Sequence, residues 1–231
     1  MPSEMATPSI QAPFGQILGT DIATITVGSG PTARTFKVHT DLICSKVPFF
    51  KAMFKGNFKE AATQTATLPE DDPLAFELFL GWVYRDTVNK LSHMTPYLKL
   101  FGFAEKYTVV TLMDNTMDAL VAAFKEKNYL FHQVYMEEIY QITHESSKMR
   151  VFASRCFAFA LMTCPDTGIW STTTLMSMTS THRDEILVDS LRLIRALKPE
   201  NKISLFPDPR SAPLCDYHQH GKDEVCPYIK V

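Results

Sequence analysis

The stretch from Phe36 to Tyr84 constrains the fold more than any other part of the chain. It opens with the alternating residues Phe36 to His39, a pattern typical of a β-strand. Pro48 suits the first position of a helix, because its missing N–H would have no partner there in any case. Asp72 followed by Pro73 is the signature of a helix start. The stretch therefore predicts an extended segment, a helical hairpin, a short strand and a capped helix.

A small sheet is predicted around this stretch. Ile22 to Val27 alternates apolar with small or polar residues and is rich in β-branched side chains, which indicates a strand. Gly28 to Pro31 has the composition of a turn, so Thr35 to Val38 becomes the second strand of a hairpin. Ala66 to Leu68 is predicted to be a brief third strand.

The rest of the chain shows helical periodicity. We predict helices over Pro73–Tyr84, Pro96–Tyr107, Thr111–Glu126, Val134–Thr143, Met149–Met162 and Arg183–Leu197. The first of these is apolar on nearly every side, which indicates a central buried helix. The Ser/Thr-rich stretch Ser171 to Thr181 is predicted to be a loop. Because a small sheet cannot hide both faces by itself, the class is α+β, with an all-helical extension.

One helical stripe allows two interpretations. Met113, Met117, Leu120 and Phe124 follow one another at helical spacing. Such a stripe is most often part of a core, but a half-covered terminal helix could also offer a groove for a partner.

Bulk composition excludes several classes of function. A net charge of -2 over 231 residues provides no global field that favours nucleic acid or an anionic membrane. No apolar run approaches the roughly 18 residues that a spanning helix needs. Five cysteines at irregular spacing fit free thiols in a reducing compartment. We therefore expect an intracellular protein, with nucleus and cytoplasm undecided, and neither direct nucleic-acid binding nor a membrane location.

Several short motifs, in their order and spacing, resemble the BTB/POZ domain, particularly its fungal branch, over roughly Thr20 to Glu126. The motifs are Asp21, Phe36 to Leu42, Cys44 to Phe50, Phe58 to Glu60, Leu68 to Pro73, Phe79 to Tyr84 and Ala104 to Tyr107. The resemblance implies the BTB/POZ fold, a small sheet flanked by short helices, and a domain that dimerises or recruits a protein partner. It assigns an interaction or fold role to Asp21, His39, Asp41, Phe49 and Phe50.

The resemblance, together with the Pro-rich composition of both ends, suggests how the chain is divided. We expect a disordered segment over 1–19, a BTB/POZ-like domain over 20–126, a helical extension over 127–198 and a Pro-rich Cys/His tail over 199–231.

Two departures from the family pattern bear on these expectations. Val47 precedes Pro48 where the family often has a capping serine, and the loss of a cap costs about 1 kcal/mol; Ser45 is a candidate substitute. Cullin-binding relatives often carry an apolar-x-Glu element near the helix predicted at Pro96, but Leu91 to Leu98 contains no acidic residue. A cullin partner is therefore only weakly supported.

Candidate catalytic groups all have simpler structural explanations. His39 and Asp41 could perform acid–base chemistry, but a hydrogen bond that fixes the entry to the first helix explains them better. Cys44 and Cys156 fit packed core thiols. The acidic run Glu70 to Asp72 fits helix capping better than metal binding. We therefore predict no enzyme activity, no catalytic residues and no cofactor.

The end of the chain carries the one set of side chains suited to a metal. Cys215, His218, His220 and Cys226 are the ligand types that tetrahedral zinc takes. Their spacing is poor, because His218 and His220 would point in opposite directions on an extended backbone. A flexible polar tail is therefore favoured over a zinc clip.

The function predicted from the sequence is a protein-interaction adaptor or scaffold that acts through a BTB/POZ domain. Self-association into a homodimer and a role as a ubiquitin-ligase substrate adaptor are narrower forms of it. The alternative is a transcription-associated regulator with a zinc-binding C-terminal Cys/His tail.

Overall fold

A computed structural model describes residues 13–176, 183–196, 206–221 and 224–228. The chain divides into two compact units, Met1–Arg85 and Asp86–Val231. Most of the segment predicted to be disordered, 1–19, lies outside the described residues. Within its last part, Phe14–Leu18 forms a short helix, α1, that the sequence did not predict.

The first unit contains a three-stranded sheet whose middle strand comes first in the chain. Its strands are β1 (Ile22–Val27), β2 (Arg34–His39) and β3 (Thr65–Leu68), in the order β2-β1-β3. β1 runs antiparallel to β2, with Ile22 opposite His39, and parallel to β3, with Val27 opposite Leu68. The predicted hairpin and third strand are confirmed.

Side-chain alternation in β1 sets which face of the sheet is buried. Ala23, Ile25 and Val27 are fully buried, whereas Thr24 and Thr26 on the opposite face are only half-buried. At the end of the strand, Gly28 has a φ of 84°, and a Cβ there would lie 3.0 Å from the ring of Pro73. The turn therefore needs glycine for both its backbone conformation and its close packing.

Helices of the first unit bury an aromatic cluster. They are α2 (Thr40–Lys46), α3 (Pro48–Lys55), α4 (Lys59–Thr63) and α5 (Pro73–Arg85). The rings of Phe50 on α3 and Phe79 on α5 lie 5.8 Å apart, and Phe76 lies 5.5 Å from Phe79. All three are fully buried, which confirms α5 as a central helix.

The starts of α5 and α3 differ in how their free N–H groups are satisfied. Asp72 Oδ1 accepts hydrogen bonds from the N–H groups of Leu74 and Ala75, at 2.8 and 3.1 Å, as predicted for an N-cap. Val47 gives α3 no side-chain cap. Ser45 does not substitute for it, because its hydroxyl instead donates to the carbonyl of Leu42 at 2.7 Å.

In the described residues of the second unit, all regular elements are helical. These are α6 (Met94–Lys106), α7 (Val110–Lys127), α8 (Gln133–Ile142), α9 (Lys148–Thr163), α10 (Thr172–Met176) and α11 (Arg183–Arg195), with short 3₁₀ turns such as Leu214–Tyr217. The described ranges include no helix that is both long enough and apolar enough to span a bilayer.

Helix α10 corrects the loop predicted for Ser171 to Thr181, of which residues 177–181 lie outside the described ranges. The hydroxyl of Ser171 accepts from the N–H of Thr174 at 3.1 Å, and Asp166 accepts from the N–H of Thr172. Serine, threonine and aspartate disfavour a helix interior, yet these same side chains satisfy the free N–H groups at a helix start.

The stripe on α7 is core. Met113, Met117, Leu120 and Phe124 are each 6% exposed or less. The rings of Phe131 and Phe152 lie 4.5 and 5.6 Å from Phe124. The partner-groove interpretation of this stripe is therefore wrong.

A buried arginine fastens the end of α8. Arg150 on α9 is 7% exposed and donates to the carbonyls of Tyr140 and Thr143 at 2.7 and 2.6 Å. It also donates to Glu185 on α11 at 2.6 Å. The two carbonyls lie at the end of α8, where they have no partner within the helix. Through these contacts one guanidinium links α8, α9 and α11.

Replacing Asp72 by Ala should lower the free energy of unfolding by about 1 kcal/mol, because two N–H groups of α5 lose their acceptor. Urea unfolding followed by circular dichroism measures the change. Asp72→Asn is the matched control, since asparagine caps about as well, and an equal loss in both variants would contradict the capping role.

Replacing Arg150 by Ala should destabilise the second unit by on the order of 2–3 kcal/mol, because buried carbonyls are left without a donor. Arg192→Ala, at an exposed position of α11, should change the stability by less than about 0.5 kcal/mol. Similar losses for the two variants in thermal unfolding would show that the buried contacts contribute little.

Candidate metal centre

The C-terminal segment, which comprises residues 206–221 and 224–228 of the second unit, is packed against helices α7 and α9 of that unit. Tyr217 is fully buried, and its ring lies 5.0 Å from that of Phe152. Its hydroxyl donates to the carbonyl of Pro209 at 2.7 Å. The prediction of a flexible polar tail is thus wrong for these residues, because one aromatic side chain supplies the apolar burial that the periodicity of the segment does not show.

Asp114 on α7 is a second attachment point. It is 1% exposed, and its carboxylate accepts from the N–H of Gln219 at 2.8 Å and from the hydroxyl of Tyr228 at 3.0 Å. Burial raises the pKa of Asp114, while these two hydrogen bonds oppose the shift. One carboxylate therefore holds two parts of the C-terminal segment that lie nine residues apart in the chain.

Four side chains of this segment converge. Their candidate ligand atoms all lie within 4.8 Å of one another, and the set, called the Cys/His cluster below, comprises Cys215, His218, His220 and Cys226. The expectation that the two histidines point apart is wrong. The 3₁₀ turn Leu214–Tyr217 and the bends at 218–220 replace the extended backbone, and the two imidazole rings lie 5.6 Å apart.

His218 is held in one orientation. It is 2% exposed, and its Nε2 donates to Asp118 Oδ1 at 2.8 Å. Its Nδ1 lies 3.6 Å from the sulfur of Cys226. Burial lowers the pKa of His218, but its hydrogen bonds with Asp118 and Cys226 and the two nearby carboxylates together outweigh this effect, so the pKa is raised. With Nε2 occupied, Nδ1 is the nitrogen that faces the cluster.

His220 uses the opposite ring nitrogen for its outer hydrogen bond. Its Nδ1 donates to the carbonyl of Gly221 at 2.9 Å, so its Nε2 is the nitrogen left to accept. This Nε2 is buried and makes no hydrogen bond of normal geometry to the described part of the chain, although His220 contributes to the lowered pKa of Cys226. An imidazole nitrogen buried in this state is costly unless something binds it.

The two thiols complete the set. Cys226 is 6% exposed. Burial raises the pKa of its thiol, but hydrogen bonds from the N–H of Tyr228 and from neighbouring cluster side chains lower it to about 7. Cys215 is half-buried beside it, and the hydrogen bond between the two thiols raises the pKa of Cys215. Two thiols and two imidazoles form a donor set suited to zinc.

Sequence reasoning missed the two carboxylates behind the cluster. Asp114 and Asp118 are four residues apart on α7 and therefore share a helix face. That spacing was a usable signal for paired acids. Nothing local could link them to residues about a hundred positions further along the chain, since that pairing comes from tertiary packing.

The other predicted site residues do not come together into a catalytic group. His39 makes its hydrogen bond at the entry to α2 with Tyr84, its Nδ1 lying 2.8 Å from the tyrosine oxygen. This is a hydrogen bond at the helix entry of the kind predicted, whereas Asp41 pairs with Lys55 at 2.9 Å. Asp21 is exposed, and its carbonyl accepts from the N–H of Thr40 at 2.9 Å.

The remaining candidates belong to the core or to its edge. Phe50 is fully buried, while Phe49 next to it is 39% exposed. Cys44 and Cys156 are buried, and burial raises the pKa of both thiols. A raised pKa reduces the thiolate fraction that a nucleophile needs.

Comparison with known families identifies the front half of the chain. Residues 19–123 match the family model for the BTB/POZ domain. The chain therefore contains a BTB/POZ domain. The predicted fold class is confirmed: an α+β BTB/POZ fold with a small mixed sheet and helices, followed by a helical extension.

The chain is also similar to two mouse proteins. It is 24% identical over 181 residues to TD and POZ domain-containing protein 1, an alignment that covers 74% of this chain and 47% of that protein. It is 25% identical over 109 residues to TD and POZ domain-containing protein 4, covering 47% of this chain and 29% of that protein. The chain thus spans less than half of these relatives, which are not fungal, so the fungal branch stays a prediction.

Replacing Asp114 by Ala should release residues 218–221 and 224–228 from α7, because the Gln219 N–H and the Tyr228 hydroxyl both lose their acceptor. We expect amide hydrogen exchange in this region to be about 10-fold faster. Glu126→Ala, at an exposed position on the same helix, is the control. Unchanged exchange in Asp114→Ala would show that other contacts hold the segment.

Proposed function

We propose that this protein is an interaction adaptor that binds other proteins through its BTB/POZ domain. The observation that carries the proposal is the family match over residues 19–123, together with relatives that are named for their POZ domains. The site geometry agrees with this role, because His39, Asp41 and Cys44 are engaged in structural contacts.

Exposed apolar side chains of the first unit are suitable contact points. Among residues 13–85, five are at least 38% exposed: Phe14, Ile22, Phe49, Phe58 and Leu74. Phe58 is the most exposed of them, at 62%. Aromatic side chains are enriched among the residues that contribute most to binding at protein interfaces, so Phe58 is the first position to examine.

Self-association into a homodimer is the narrower form of the proposal. We expect the full chain to run as a dimer at high micromolar concentration in size-exclusion chromatography with light scattering. Phe58→Ser should shift it toward monomer, because the lost aromatic area no longer contributes to the interface. Ile169→Ser, at an exposed apolar position of the second unit, should leave the mass unchanged.

Self-association and the role of Phe58 in it can be contradicted separately. A wild-type chain that is strictly monomeric at high micromolar concentration would contradict self-association. A dimer that persists in Phe58→Ser would contradict only the assignment of the surface to that residue.

A role as a ubiquitin-ligase substrate adaptor requires binding to a cullin. The absence of an acidic residue from Leu91 to Leu98 leads us to expect weak or no capture of the full chain by an immobilised cullin N-terminal domain. Strong, saturable capture would overturn that expectation and favour the ligase role. The comparisons do not favour the alternative of a transcription-associated regulator, and it is not proposed.

A further inference from the structure

The geometry of the Cys/His cluster is close to that of a filled zinc site. Zinc lies about 2.3 Å from sulfur and about 2.0–2.1 Å from nitrogen, so the edges of an S₂N₂ tetrahedron are roughly 3.3–3.8 Å long. The edge between His218 Nδ1 and Cys226 Sγ is already 3.6 Å. No pair of ligand atoms is more than 4.8 Å apart, so side-chain shifts of about 1 Å complete the tetrahedron.

The hydrogen bonds that the two histidines make outside the cluster also indicate a metal site. Metal-bound histidines usually donate their second ring N–H to a carboxylate or a backbone carbonyl, which fixes the tautomer and the ring orientation. Here His218 donates to Asp118 and His220 donates to the carbonyl of Gly221. In both rings the remaining nitrogen is the one aimed at the cluster, and that of His220 is buried without a normal hydrogen bond to the described residues.

We propose that the Cys/His cluster binds one Zn²⁺ ion in a closed structural site that fastens the C-terminal segment to α7. Sulfur and imidazole ligands together select zinc over the hard cations magnesium and calcium, which take oxygen. Four protein ligands fill the tetrahedron and leave no position for water or substrate, so the site is structural rather than catalytic.

The attachment follows from where the cluster lies. Asp118 connects His218 to α7, and Asp114 on the same helix holds the backbone of Gln219, between the two histidine ligands. On the other side, Tyr217 is buried against Phe152 of α9. The ion therefore joins Cys226 to a turn that is already anchored, and residues 224–228 depend on it most.

The first test measures metal in the full chain, expressed with zinc in the medium and purified under reducing conditions without chelator. Plasma mass spectrometry should find about one zinc per chain. Zinc below a tenth of an equivalent, together with no uptake when the metal-free chain is titrated with zinc, would overturn the proposal. A stoichiometric amount of another metal, or a disulfide between Cys215 and Cys226 in the reduced preparation, would also overturn it.

Cobalt substitution tests the ligand set. The Co²⁺-loaded chain should show the intense visible bands of a tetrahedral ion and a near-ultraviolet thiolate charge-transfer band. Cys226→Ser should weaken the charge-transfer band, whereas Cys164→Ser, which changes the same atoms at the end of α9, should leave the spectrum unchanged. Octahedral bands in the wild-type chain, or equal loss in both variants, would contradict the assignment.

Asp118 is proposed as a positioning residue for His218. Asp118→Ala should weaken zinc binding 10–100-fold in a chelator competition, while the cobalt spectrum of the loaded protein keeps its tetrahedral shape. Asp118→Asn retains an oxygen acceptor and should recover part of the affinity. Unchanged affinity in Asp118→Ala would remove this role.

The structural role has its own readout. Strong chelator should lower the thermal midpoint of the wild-type chain by several degrees and speed amide exchange at residues 224–228, and added zinc should reverse both effects. His220→Ala, which leaves both thiols and Tyr217 in place, should lower the midpoint without further response to chelator. If chelator changes neither the thermal midpoint nor the amide exchange of the wild-type chain, zinc does not fasten the segment.

Discussion

Burial of Tyr217 against the ring of Phe152 is the interaction on which the C-terminal segment depends. Ordering each residue of a chain costs about 1–2 kcal/mol in backbone entropy, and a segment without a periodic apolar face has few contacts to offset that cost. Tyr217 supplies them at one point, against Phe152, with its hydroxyl satisfied by Pro209. The residues that follow it, His218 and Gln219, then lie against the face of α7 that carries Asp114 and Asp118.

The first unit is built by a different route, in which short-range signals act together. Alternation in β1 selects the buried face, Gly28 permits a turn that packs against Pro73, and Asp72 starts the central helix. Each of these features is specified by residues close together in the chain, so the sheet and its helices follow from local chemistry plus burial of Phe50, Phe76 and Phe79.

The two proposals make separate demands on the protein. The adaptor role rests on the BTB/POZ family match and on exposed aromatic side chains of the first unit. The zinc site rests on donor geometry within the second unit. Loss of the metal would therefore change the order of the C-terminal segment without by itself removing the surfaces proposed for partner binding.

The sequence by itself determined the three strands, the α5 cap and most of the long helices, because alternation, helical spacing and capping side chains act within a few residues of one another. It also identified the four members of the Cys/His cluster by residue type. It treated Ser171 to Thr181 as a loop, because serine and threonine disfavour a helix interior, although their side chains also satisfy the free N–H groups at a helix start. Only the tertiary structure decided that the tail is packed and that Asp114 and Asp118 lie behind its histidines, because these contacts join residues roughly a hundred positions apart. The convergence of the two histidines depends on the turn and bends of the backbone beside the buried Tyr217, which residue spacing alone does not reveal.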